Sequence, residues 1–194
     1  PDRSAPPAVE PPDVLTLPAM TTTTLRPGLT LSHLQLDGVR KVEVMVMFER
    51  GKLDLCPDSV DCRMLTNIWD LASKEVGSEE TEALLDSLDA SLLSWMGRTT
   101  GGLELTIPRT ALDDGLALLE TVLHTPGLPR GELKLSRENL LDWYENTGPA
   151  DMGDVASTAR TYGFYPADSV YGQRPDLDAI QKVRRRHLRA VHAR

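Results

Sequence analysis

Three runs near the start of the chain are β-prone or alternate apolar with polar residues, at positions 21–25, 29–36 and 41–49, with Pro27-Gly28 and Asp37-Gly38 between them. Alternation at period two marks a strand with one buried face, and the glycine-bearing dipeptides supply turns, so a three-strand antiparallel meander is predicted. In the third run Val42, Val44, Val46 and Phe48 share one face, while Lys41 and Glu43 begin the other. Met45 and Met47 on that second face predict that both faces are covered.

The period then changes. Met64, Leu65, Ile68, Leu71 and Ala72 recur at helical spacing, predicting a helix over residues 64–73 with the segment stopping near Gly77. Ser78 is the expected N-cap of a second helix, with Glu79 and Glu80 in its first turn and Leu84, Leu85 and Leu88 on one face. Two strands bracket residues 97–102, the second running from Leu103 to Ile107 and ended by Pro108, which has no N–H to donate. Thr110 is predicted to cap a helix with Asp113 and Asp114 in its first turn and Leu112, Leu116, Leu119, Val122 and Leu123 inward, broken at Pro126-Gly127. Pro129 opens a longer helix to about Asn146, and helices are expected over 154–162 and 176–191. Strands, two helices, strands and then several helices predict an α+β fold, an antiparallel or mixed sheet covered on one side by helices.

With 194 residues, 40% of them hydrophobic, one substantial core is expected. Residues 1–18 are read as a proline-rich leader or linker cut from a longer protein, and 19–194 as a single domain. No apolar stretch approaches the roughly 20 residues of a membrane span.

The formal charge is −8, unevenly spread: Lys182, Arg184, Arg185, Arg186, Arg189 and Arg194 crowd the last thirteen positions, where no acidic residue lies. Without those six, 15 basic residues face 29 acidic ones, a balance of −14. An anionic body opposes a polyphosphate partner, so the cations alternating with Val183, Leu188 and Val191 are read as the solvated face of a terminal helix and nucleic acid is not expected. Cys56 and Cys62 are too few for a disulfide framework and lack the four ligands of a structural zinc site. Bridged, they would point to an oxidising compartment such as a periplasm or cell envelope; as thiols they would suit cytosol.

Several phrases resemble one domain of the pitrilysin/insulinase metallopeptidase family, which includes mitochondrial processing peptidase. They are Leu25-Arg26-Pro27-Gly28-Leu29-Thr30-Leu31, Gly77-Ser78, Leu103-Glu104-Leu105-Thr106-Ile107-Pro108 before Leu116-Ala117-Leu118-Leu119, His124-Thr125-Pro126-Gly127-Leu128-Pro129, and Tyr171-Gly172-Gln173-Arg174-Pro175. The resemblance covers nearly the whole chain and implies a processing-peptidase-type α+β domain. It also implies that residues 1–18 link two halves of a long bacterial member.

Active members carry His-x-x-Glu-His on the helix after the third strand, two imidazoles for zinc and a carboxylate to activate its water. Aligned on Gly77, Ile68, Leu71 and Ala72 stand at those positions; a slide of one residue gives Asn67, Asp70 and Leu71. Neither register offers an imidazole. The third ligand, a Glu on a later helix, aligns through Arg137-Glu138 with Trp143, near Asp142 and Glu145. His33, His124, and the five-apart His187 and His192 offer no chelating pair. No nucleophile elbow, phosphate loop or dinucleotide fingerprint occurs.

The sequence thus predicts no catalytic, cofactor-binding or metal-binding residue in this chain, and no enzyme activity by the chain alone. Zinc is expected in a partner catalytic domain with which this one forms a chamber for peptide substrates. The alternatives are an assembly subunit of the same fold without a peptidase partner, or a zinc domain using Asp70, Asp142 and Glu145. Trp69, Trp95, Trp143, Tyr162, Phe164, Tyr165 and Tyr171 are read mostly as core, and residues 95–107 as the sheet edge for an extended peptide.

Overall fold

The structure is a computed structural model that describes residues 18–56, 60–144, 152–166, 169 and 176–194. The chain divides into two compact units, Pro1–Val39 and Arg40–Arg194.

In the first unit β1 (Thr21–Arg26) and β2 (Leu29–His33) form an antiparallel hairpin, with Thr21 opposite His33 and Arg26 opposite Leu29. Gly28 in the turn sits at φ 78°, a left-handed conformation open to glycine at little cost. Every residue of both strands is exposed.

In the second unit β3 (Lys41–Phe48), β4 (Ser91–Met96) and β5 (Gly101–Pro108) make an antiparallel sheet of order β3-β5-β4. The predicted meander is therefore corrected: β3 pairs with β5, Lys41 opposite Pro108 and Phe48 opposite Gly101. Burial explains the choice. Leu103, Leu105 and Ile107 have no exposed surface, and so apolar a strand gains most by taking neighbours on both edges. Strand β2, with Thr30 and Ser32 between its leucines, offers less to bury.

The helices are α1 (Lys52–Leu55), α2 (Asp61–Thr66), α3 (Ser78–Ser87), α4 (Leu112–His124), α5 (Arg130–Asp142), α6 (Met152–Phe164), α7 (Leu177–Lys182) and α8 (Arg185–His192). Gly115, Leu118, Leu119 and Val122 are the buried stripe of α4, at i, i+3, i+4 and i+7. Leu118 thus takes the inward place predicted for Leu116, which is 40% exposed. Gly115 sets this phase, because a Cβ there would overlap Ile107 Cδ1, so its bare Cα lets α4 settle on β5.

Several boundaries also differ from expectation. A 3-10 turn, Arg109–Ala111, leads into α4 where a Thr110 cap was expected. Gly77 rather than Ser78 caps α3, its N–H donating to Glu80 Oε2 at 3.3 Å. Helix α5 ends at Asp142 with a wider turn through Trp143 and Tyr144, while Glu145 and Asn146 lie outside the described residues. The predicted helix over 176–191 is two helices, α7 and α8. Val183 turns to ψ 133° between them, buried, and its carbonyl accepts a 2.7 Å hydrogen bond from Arg137 Nη2. Cys56 and Cys62 are joined in a disulfide, with Cα atoms 5.9 Å apart, and this bridge closes the loop into α2.

The outer sheet face is open: Met45, Met47 and Leu93 are more than half exposed, against the expectation that both faces are covered. No helix among the described residues is long and apolar enough to cross a membrane.

Gly102 lies between Met47 of β3 and Trp95 of β4. A Cβ there would overlap the carbonyl oxygen of Val46, main chain that cannot yield without disturbing the sheet. Gly102→Ala is expected to cost about 2–4 kcal/mol. Gly131→Ala, in the open first turn of α5, is expected to add roughly 0.5–1 kcal/mol. Urea unfolding of the three proteins checks both; a Gly102→Ala variant as stable as its parent refutes this account of β5.

Candidate functional site

Helices α2 and α5 face each other across a cleft of about 380 Å³. Met64 and Leu65 anchor α2 in the core, and Leu133 and Leu140 anchor α5. These anchors turn Arg63 and Asn67 towards Ser136, Asn139 and Trp143. Asn67 Nδ2 donates to Ser136 Oγ at 2.9 Å. Arg63 Nη1 donates to the Tyr144 hydroxyl at 2.9 Å, with its guanidinium 5.6 Å from the Trp143 ring centroid and 5.7 Å from that of Tyr144. A cation over two aromatic faces is a favourable electrostatic contact. Glu132 lines the same cleft, so its charge is mixed, and outside it burial, then Arg63 and Arg98, push the Lys52 ammonium pKa down.

The predicted motif helix over 64–73 is corrected, because regular helix ends at Thr66. The Thr66 carbonyl accepts from the Ser94 hydroxyl, and the next turn tightens as Ile68 N donates to Leu65 O at 3.1 Å. Asp70 Oδ2 accepts from Ser94 N at 2.9 Å, so this carboxylate occupies a main-chain donor of β4. The chain then pairs with the α4–α5 connection through a bridge between Ser73 and Pro126, with Lys74 N to Thr125 O and Gly127 N to Ala72 O both at 2.8 Å.

These bonds decide where each sequence position falls. Asn67, Ile68 and Trp143 meet at the α2–α5 cleft. Asp70 and Leu71 instead line a second cleft of about 380 Å³ beside Ser78, Thr81 and Leu85 of α3. Ala72 is 1% exposed and so close to Gly127 that a Cβ on that glycine would come within 2.9 Å of the alanine methyl. An imidazole has no room there. Of the alternative ligands, Asp70 is engaged by Ser94, Asp142 ends α5, and Glu145 lies outside the described residues. Among the described residues no three His, Cys, Asp or Glu side chains are grouped to hold a metal.

The histidines have local partners or lie apart from the cleft. His33 is on β2 and His124 ends α4. His187 Nδ1 lies 4.0 Å from Asp61 Oδ1, and His192 Nε2 lies 2.8 Å from Leu123 O, its ring edge-on to Trp69. Of the tryptophans, Trp69 is core, whereas Trp95 is half-buried and Trp143 lines the cleft; Phe164 is 80% exposed. This corrects the expectation of mostly core aromatics, although Tyr171 and the Tyr162 side chain lie outside the described residues. The expected peptide edge is corrected as well: β5 is central, leaving β3 and β4 as the edges of this sheet. Arg63 was not foreseen, because its aromatic partners come from a helix 80 residues away whose placement no local pattern reveals.

No family model matches the chain, and no curated protein matches it in sequence. Solved structures do. It is similar to a peptidase M16 inactive domain from Pseudomonas fluorescens, with a TM-score of 0.77 and 14% identity over 90% of this chain and 43% of that one. It is also similar to a protease from Helicobacter pylori, with a TM-score of 0.71 and 16% identity over 92% of this chain and 44% of that one. The chain therefore has the pitrilysin-type α+β fold and spans less than half the length of each structure.

Two predictions follow from this geometry. Ala72→His is expected to destabilise the chain by about 3 kcal/mol or more, through overpacking and burial of a polar ring. Full stability of that variant, or zinc binding gained by it in calorimetry, contradicts the closed site. Burial raises the Asp70 pKa, opposed less strongly by the Ser94 hydrogen bonds. A carboxyl pKa higher in the folded than in the unfolded state makes stability fall as pH rises through that window. Asp70→Asn, which keeps an acceptor for Ser94 N, should be more stable than its parent near neutrality. That advantage should vanish below the ordinary carboxylate pKa; a difference independent of pH contradicts it.

Proposed function

We propose that this chain is a non-catalytic domain that walls the peptide chamber of a pitrilysin-type metallopeptidase, with zinc held by a separate catalytic half. The observation that carries this reading is the α2–α5 cleft. It holds Ile68 and Trp143, aligned with two of the family's ligands, and Asn67, aligned with one in the alternative register; Arg63 lies over the indole, and Ala72, the second imidazole position of the first register, has no room for a ring. The likeness to a domain described as inactive supports it, as does the chain's span of less than half of that structure.

Such a domain contributes shape. A closed chamber admits short or unfolded peptides by volume, and a free strand edge holds an extended peptide through main-chain hydrogen bonds. The open outer face with Met45, Met47 and Leu93 is apolar surface that a further domain can cover. The Cys56–Cys62 disulfide supports placement in an oxidising compartment such as a periplasm or cell envelope.

The test is peptide turnover by the catalytic half alone, by that half with this chain, and by this chain alone with zinc. The expected outcome is no hydrolysis by the chain alone and a shift of about threefold or more in kcat/KM when it joins the catalytic half. An unchanged rate and specificity on joining would instead make it an assembly subunit. Turnover by the chain alone would overturn the non-catalytic reading.

A further inference from the structure

Most cations near the end of the chain are exposed, as a solvated face requires, and four of them also line a groove. Arg184, Arg185, Arg186 and Arg189 share a groove of about 380 Å³ with Arg130, Lys134 and Arg137 of α5. On α5 the three lie at i, i+4 and i+7, one stripe about 10 Å long. Among the described residues the one carboxylate within ion-pair distance of these seven cations is Glu138, 3.7 Å from Lys134.

Three observations describe positive charge held together here with little compensation among the described residues. First, Arg137 and Arg185 are each fixed by one Nη2 on a main-chain carbonyl, Val183 O and Gly127 O, both at 2.7 Å. The Nε of each is buried without a hydrogen-bond partner among the described residues, so what each guanidinium offers a ligand in the groove is its fixed charge rather than that donor. Second, Arg184 to Arg186 occupy the N-terminal end of α8, whose first turn has no acidic residue, whereas α5, begun by Arg130, has Glu132 in its first turn. Cations at helix N-termini oppose the dipole, while an anion there is favoured. Third, burial together with Arg189 and Arg130 lowers the Arg185 pKa, so these like charges act on one another.

We propose that the α5–α8 groove binds a short run of acidic residues in an extended polypeptide. An extended chain advances about 3.3 Å per residue, so three or four residues span the stripe, and their side chains alternate between the two walls. Pre-fixed guanidinium forks suit carboxylates. Charge outside the groove argues against nucleic acid: without the groove's seven cations, the remaining sequence carries −15. That field repels a polyanion longer than the groove but tolerates a brief acidic run with neutral flanks. The proposal is independent of the chamber reading, since it needs neither a catalytic half nor hydrolysis.

The test is fluorescence anisotropy on the whole chain at low salt. The probes are a labelled peptide with four consecutive glutamates between glycine-serine flanks, the same peptide with glutamines, and a single-stranded oligonucleotide of equal charge. The glutamate peptide should bind, weakening as salt rises, while the other two bind at least about tenfold more weakly. Arg130→Gln/Lys134→Gln/Arg189→Gln, which removes no main-chain hydrogen bond, should weaken binding by about tenfold or more with an unchanged circular dichroism spectrum. Equal binding of the glutamine peptide, tighter binding of the oligonucleotide, or undiminished affinity in a folded triple variant overturns the proposal. If the triple variant does not fold, the parent's salt titration decides, because salt-independent affinity is incompatible with an exposed charged groove.

Discussion

The pairing of residues 72–74 with residues 125–127 is the constraint on which the site depends. Two main-chain hydrogen bonds of 2.8 Å and the Ser73–Pro126 bridge fix the start of the α4–α5 connection against the chain that follows α2. Glycine at 127 is what permits the approach, since a side chain there would meet the Ser73 carbonyl and the Ala72 methyl. Once that contact is made, α2 cannot continue as a helix to residue 73, and the spacing on which His-x-x-Glu-His depends is lost. Neither the backbone course nor the side chains of the described residues present the His-x-x-Glu-His arrangement at this cleft.

Much of the fold was legible because burial and local geometry agree over most elements. Alternation at Val42, Val44 and Val46 gave β3, and the run from Leu103 to Ile107 gave β5. What failed did so where tertiary contacts override local pattern. Ile68 and Ala72 keep a helical period because both are buried, yet their neighbours' hydrogen bonds run to Ser94, Thr125 and Gly127. Period reports which residues are inside and does not report which hydrogen bonds they make. The pairing of β3 with β5 was equally hidden, since adjacency in sequence favours β2 and only the whole sheet shows how much β5 must bury.

The candidate site was legible in a different way. The resemblance aligned Ile68 and Trp143 with ligands on two separate helices, and the structure places both residues on one cleft. It did not foresee that Leu71 turns to another cleft or that Ala72 is sealed. The α5 stripe of Arg130, Lys134 and Arg137 was visible at helical spacing, but its meaning depended on α8 lying beside it. The break at Val183 connects the two: the carbonyl freed between α7 and α8 is the one that holds Arg137.

Cation placement links the two grooves of α5. At the α2–α5 cleft the Arg63 guanidinium lies over two aromatic rings, with Glu132 on the same lining. At α8, among the described residues, no aromatic ring lies over the arginines, and the Nε groups of Arg137 and Arg185 are buried without acceptors. Cation–π contact steadies one cluster and has no described counterpart in the other. The two basic regions flanking α5 are therefore chemically distinct, one steadied by this chain's own aromatic residues and one suited to a carboxylate.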